Sequence, residues 1–312
     1  MFDRAVLKII SLAAGILSSV HPGSRTAEIA AIPSALEYAR THVPAGWETL
    51  DCPSENNQYT HSFYRLRSPD PSAPVLLCLP GFNTDGGVFR DFTEISEHYT
   101  CVAYNFPDHG PYYTGHMSDY TTILDDFCLQ QHLDSVVLVG NSLGGMIAID
   151  AAAHSSVIHP LAVVLIASSI PGVSAEKIDR IQWLSKKLLS YPDENLYVLA
   201  KRLEHRPGLK RAQSARDGVL KNPAWYREVL TTLATCDERS EAQRIRVPVL
   251  CIQGKTDPVI HYADVVAARA LFHQSKLISV SRGGHSILTL HGRAIADSLD
   301  AFLISKIGRR RG

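Results

Sequence analysis

Apolar residues gather along the chain in short, nearly unbroken runs at 62–67, 75–80, 100–105, 135–140, 162–168, 248–254 and 276–281, each rich in Val, Ile, Leu or aromatic residues. Runs of this length and composition predict strands. From the second run onward, the intervals at 87–98, 118–132, 143–154, 262–272 and 286–307 space their apolar positions with a helical period. Strands that are apolar on both faces and separated by helices predict an α/β fold, a mostly parallel central sheet flanked by helices. The alternation breaks between 169 and 246, which reads as several helices and no convincing strand. Pro171-Gly172, Pro192, Pro207-Gly208 and Pro223 punctuate this stretch where short helices would join. The expected organisation is therefore a core of 46–168 and 247–312, a helical cap inserted at 169–246, and a helical extension over 1–45.

The first residues leave a choice. Arg4 and Lys8 precede the apolar stretch 9–20 in the manner of a signal peptide. Asp3, the serines within the stretch and the missing small-x-small site after it favour a terminal amphipathic helix. The stretch is also shorter than the roughly 20 apolar residues that a membrane-spanning helix needs. A cytoplasmic protein is the expectation, and membrane contact through this segment is not.

Composition narrows the partners more than the fold. The 31 Lys and Arg balance the 31 Asp and Glu, so no overall charge marks a nucleic-acid binder. The stretch 169–246 holds 15 basic residues against 10 acidic ones. A solvated helical surface accounts for that excess, with a basic lining for an anionic substrate as the alternative. None of the six cysteines forms a CxxC pair, and three stand in or beside apolar runs, so buried reduced thiols are expected.

The chemistry concentrates after the run that ends at Gly140. Gly140-Asn141-Ser142-Leu143-Gly144-Gly145 joins a strand to an Ala-rich helix and fits Gly-x-Ser-x-Gly in its strand–turn–helix setting. The glycines let strand and helix approach closely, and the turn lifts the Ser142 hydroxyl to a helix N-terminus that favours negative charge. A serine hydroxyl is a weak nucleophile until a base takes its proton. Of 14 histidines, His285 is preferred because it follows the last strand in the loop Arg282-Gly283-Gly284. His109, His154, His261 and His291 fit loops or helices better. The base in turn needs a carboxylate to fix its tautomer. Asp257, at the end of the strand before Lys255-Thr256-Asp257-Pro258, is placed for this, whereas Asp264 falls in the first turn of a helix. The oxyanion of acyl transfer needs N–H donors. Leu143, after the nucleophile, supplies one, and Phe82, in the loop Pro80-Gly81-Phe82-Asn83, supplies the second.

On these motifs, 75–168 and 248–307 resemble the α/β-hydrolase superfamily, with 169–246 in the position of its cap. The resemblance implies the α/β-hydrolase fold and the order Ser142, Asp257, His285. Pro80-Gly81 stands where lipases carry His-Gly-Gly-Gly, which points away from large triglyceride lipases. Asn141 beside Ser142 resembles the Gly-Asn-Ser-x-Gly-Gly elbow of carbon–carbon bond hydrolases acting on ring-cleavage products and of some capped esterases. The segment 105–110 departs at Asn105 and Asp108 from the family's Asp-x-Pro-Gly-x-Gly loop. A serine at 142 speaks against the dehalogenase and epoxide hydrolase branches, whose nucleophile is a carboxylate.

The expectation is a serine hydrolase that cleaves an ester or thioester of a small to medium substrate through an acyl-enzyme on Ser142. Two alternatives stay open: hydrolysis of a carbon–carbon bond in a diketone acid, and a ligand receptor that keeps the triad without turnover. No metal or organic cofactor is expected, since no Gly-x-Gly-x-x-Gly follows a strand and no His-Glu-x-x-His occurs. The partner expected is a small-molecule substrate, not a nucleic acid.

Overall fold

The computed structural model describes residues 46–82, 84–107, 110–174, 180–190 and 223–308. The expected extension over 1–45, with its apolar stretch 9–20, lies outside the described residues, as do Pro192 and Pro207-Gly208. Eight strands form one sheet: β1 (Glu48–Pro53), β2 (Thr60–Leu66), β3 (Val75–Leu79), β4 (Thr100–Asn105), β5 (Ser135–Asn141), β6 (His159–Ile166), β7 (Val249–Gly254) and β8 (Ser275–Val280). Their order across the sheet is β1-β2-β4-β3-β5-β6-β7-β8. β2 runs antiparallel to β1 and β4, and every other neighbouring pair is parallel. The chain winds outward from β3 to β4, then returns to place β5 on β3's other side. That reversal makes the carboxyl ends of β3 and β5 a topological switch point, the place where open α/β sheets hold their ligands.

Side chains on the interior strands alternate between two cores, as a period of two requires. Val136 and Leu138 of β5 face one core together with α1 (Met117–Gln131) and α2 (Leu143–His154). Val137 and Val139 face the other, against a 3₁₀ helix (Gly86–Ile95) and α7 (Ile287–Ile307). All four are fully buried, which explains why the interior strands are apolar throughout.

The edge of the sheet departs from expectation. β1 was not expected from the sequence, because Glu48-Thr-Leu-Asp-Cys-Pro53 exposes every second residue or more and offers the core only Leu50 and Cys52. The helix expected over 87–98 is the 3₁₀ helix, capped by the Asp85 side chain accepting from the Gly87 N–H. The last helix is kinked at His291, whose φ is −134°.

Between β6 and β7 the described residues contain helices and no strand: α3 (Arg180–Leu189), α4 (Pro223–Thr235) and α5 (Arg239–Arg244). α6 (Tyr262–Ala268) and a 3₁₀ turn (Arg269–Leu271) follow β7. The two ends of the insertion are tied together, with the Glu238 N–H donating to the Pro171 carbonyl at 3.0 Å. None of the six cysteines, all among the described residues, forms a disulfide, and four are buried. Burial pushes the Cys101 and Cys251 thiols up to about 12. No helix among the described residues is long and apolar enough to cross a membrane.

Candidate active site

β5 ends at Asn141 and α2 begins at Leu143, so Ser142 alone makes the turn. Its backbone adopts φ 52° and ψ −116°, a conformation that costs a residue with a side chain about 1–3 kcal/mol. Three hydrogen bonds hold it there. The Ser142 N–H donates to the Ile166 carbonyl at 2.9 Å, and its own carbonyl accepts from the Gly145 N–H at 3.0 Å and the Ser168 hydroxyl at 2.8 Å. The turn also depends on Gly140 and Gly144. A Cβ on the first would overlap the Gly144 carbonyl, and one on the second the Leu79 carbonyl at the end of β3.

His285 stands in the loop between β8 and α7, with Nε2 3.0 Å from Ser142 Oγ and Nδ1 2.9 Å from Asp257 Oδ2. The His285 side chain is 18% exposed and that of Asp257 is 0% exposed. An ionised carboxylate can only accept, so Nδ1 carries the ring proton and Nε2 is left to accept from the serine hydroxyl. Asp257 Oδ1 accepts from the Val259 N–H at 2.8 Å and the Ile260 N–H at 3.0 Å. Its Oδ2 also accepts from Gln253 Nε2 at 2.9 Å. The loop carrying His285 is fastened to the end of β7. The Thr256 N–H and hydroxyl both donate to the Gly283 carbonyl, at 3.0 and 2.9 Å, and Gly254 packs so closely on Gly283 that a Cβ would overlap it.

The other candidates lie elsewhere. Asp264 sits in the first turn of α6 and Asp257, not Asp264, meets the histidine. His154 ends α2 and bonds to Asp150 at 3.1 Å, His261 precedes α6, and His291 marks the kink in α7. His109 is outside the described residues.

Leu143 is the first residue of α2, so its N–H belongs to the group with no acceptor inside the helix. A Cβ on Gly81 would stand 3.2 Å from Ser142 Cβ, which puts the loop after β3 directly beside the hydroxyl. Phe82 follows it, half-buried against the core. Asn141 is buried, and its Nδ2 donates to the Ile166 carbonyl at 3.0 Å, tying β5 to β6. It braces the carboxyl ends of these two interior strands, and its bonding supplies no argument about the substrate.

Two residues that support this arrangement, Ser168 and Gln253, were not singled out in the sequence. A serine beside a turn carries no signal. A glutamine ending the apolar run 249–252 does, because a buried strand interior rarely admits an amide without a partner. Among the described residues no group of three or more His, Cys, Asp or Glu is gathered as a metal site.

Residues 76–298 match the family described as alpha/beta hydrolase. A pimeloyl-acyl-carrier-protein methyl ester esterase from Xanthomonas axonopodis pv. citri is 24% identical over 247 residues, covering 74% of this chain and 96% of that protein. Among solved structures, a putative lipase from Acinetobacter baumannii AYE superposes with a TM-score of 0.69 at 16% identity, over 88% of this chain and 97% of that one. An esterase from Exiguobacterium antarcticum gives 0.67 at 14% identity, over 82% and 99%. The sheet order, the inserted helices and these superpositions together are the α/β-hydrolase fold.

Proposed function

The chain belongs to the alpha/beta hydrolase family, and from that premise we propose that it is a serine esterase acting on a carboxylic ester or thioester of small to medium size. The observation that carries the reading is the hydrogen-bonded series Ser142 Oγ, His285, Asp257, with the serine held in a strained turn at a helix N-terminus. Sequence relatives named as methyl ester esterases point to the same bond type.

In this reading Ser142 Oγ attacks the ester carbonyl carbon while His285 Nε2 takes its proton. The carbonyl oxygen becomes an oxyanion, received by the N–H groups of Leu143 and Phe82. Collapse of the tetrahedral intermediate breaks the bond to the leaving oxygen or sulfur, which takes the proton from His285. An acyl-Ser142 ester remains. Water then attacks it, giving its proton to His285, and the acid departs as Ser142 regains its hydrogen. Asp257 stays ionised throughout and steadies the imidazolium.

The test is hydrolysis of short- and medium-chain p-nitrophenyl esters by the wild type with Ser142→Ala beside it. Turnover in the wild type and a loss of about 10⁴-fold or more in kcat in the variant are expected. Near-normal turnover in the variant would sink the assignment. Saturable ligand binding with no turnover in the wild type would replace it with a receptor role.

A further inference from the structure

β7 is fully buried along its length, and its apolar residues Val249-Leu-Cys-Ile252 are followed by Gln253, itself 0% exposed. The strand alternation places Gln253 on the face shared by Val249 and Cys251, where an apolar side chain would be the ordinary choice. Its amide is used asymmetrically. Nε2 lies 2.9 Å from Asp257 Oδ2 and 2.9 Å from the Ile260 carbonyl, with a longer approach of 3.4 Å to the Gly254 carbonyl, while Oε1 is buried with no hydrogen-bond partner among the described residues. Both short bonds land on the segment 257–260 and an orphaned acceptor is left behind. Such an orphan costs stability, so packing alone does not account for an amide here.

We propose that Gln253 is a positioning residue for Asp257 and, through it, for His285; this rests on the esterase reading above. The Gln253 amide donates to the same carboxylate oxygen that accepts from His285 Nδ1. Geometrically it pins Oδ2 and stops the carboxylate from turning about its Cβ–Cγ bond, while Val259 and Ile260 pin Oδ1. Electrostatically it draws charge from Oδ2 and so moderates the pull of Asp257 on the imidazolium. Losing the amide has two separable consequences: the imidazole is aimed less well at Ser142, and it keeps its proton to higher pH.

The experiment compares wild type with Gln253→Met and Gln253→Leu, which fill similar space without a donor. It measures kcat and KM on a p-nitrophenyl ester across pH, the His285 titration by NMR of ¹⁵N-histidine-labelled protein, and thermal unfolding. The proposal expects kcat to fall about 10- to 100-fold, the scale for residues that orient a functional group from behind, with KM within about twofold. It also expects the acid limb of kcat/KM and the His285 titration to move together to higher pH. Unchanged kcat in a folded variant, or a fall in kcat with the titration unmoved in both variants, overturns it. The NMR titration needs no turnover. If the wild type hydrolyses no ester yet the His285 titration still moves, the esterase reading fails while the Gln253–Asp257–His285 coupling stands. A titration that stays put in well-folded variants removes the coupling itself.

Discussion

Asp257 has two oxygens and four donors around them, His285 and Gln253 on one and the N–H groups of residues 259 and 260 on the other. Every donor is satisfied only by an acceptor-only group, so the site is built for a carboxylate and not for its amide. In Asp257→Asn, either the Asn NH₂ faces backbone N–H groups, or it faces His285 and forces the imidazole proton onto Nε2. The second tautomer cannot accept the proton of Ser142. We therefore expect kcat to fall about 10³- to 10⁴-fold, the scale for a triad histidine held in the wrong tautomer, with the circular dichroism spectrum unchanged. A loss below tenfold would show that Asp257 does not set the tautomer.

At the scale of elements, the reacting groups are aligned by two close backbone contacts. One joins the start of α2 to the end of β3 through Gly144, and the other joins the end of β7 to the loop after β8 through Gly254. The second contact carries the spacing between acid and base. A methyl group on Gly254 would overlap the Gly283 carbonyl, which is backbone and cannot rotate away. Gly254→Ala is expected to push the 283–285 loop outward and lower kcat/KM by about 100-fold, as a displacement near 1 Å does. Its loss of activity should exceed its loss of thermal stability, and steady-state kinetics beside a melting curve reads both. The sequence marked Gly144 as a glycine of close approach but left Gly254 without a role, because nothing local shows that the loop after β8 packs on the end of β7. It did not show the kink at His291. Gly292, next to it, stands so close to the Asp91 side chain of the 3₁₀ helix that an added Cβ would overlap it, a contact that exists only because α7 lies against that helix.

For the molecule as a whole, the insertion meets the core through buried acids. Glu238 lies at its far end, bonded through its backbone to Pro171 at the near end, with its carboxyl buried and Oε2 without a hydrogen-bond partner among the described residues. Burial holds this carboxyl well above the usual range, and the neighbouring charges of Asp150, Glu241 and Asp237 push the same way. His154 and Arg244 stand on the Glu241 and Asp150 side of this cluster. The folded state therefore holds the Glu238 proton more firmly than the unfolded chain does. The associated stability is complete at acid pH, below the ordinary carboxylate value, and is lost as pH rises through the raised value of the folded protein. Glu238→Gln imitates the protonated form at every pH. Melting temperatures across pH about 5 to 9 should fall more steeply for the wild type than for the variant. Parallel curves would mean that Glu238 carries no linkage.

Local pattern by itself determined the interior strands and the helices between them, and it pointed to Ser142, Asp257 and His285, which the fold brings within hydrogen-bonding distance. Each of these is written in signals read within a few residues: β-branched apolar runs, glycines at forced turns, and a carboxylate or histidine just past a strand end. The tertiary structure decided what such signals cannot encode. β1 exists because β2 offers it an edge, despite its exposed side chains. Asn141 turns out to brace β6, because the partner of a buried amide is chosen by whichever carbonyl the sheet brings alongside. Gln253, 4 residues before Asp257 in the chain, gains its meaning only when the turn at 257–260 folds back over the end of β7 and sets the carboxylate against its amide.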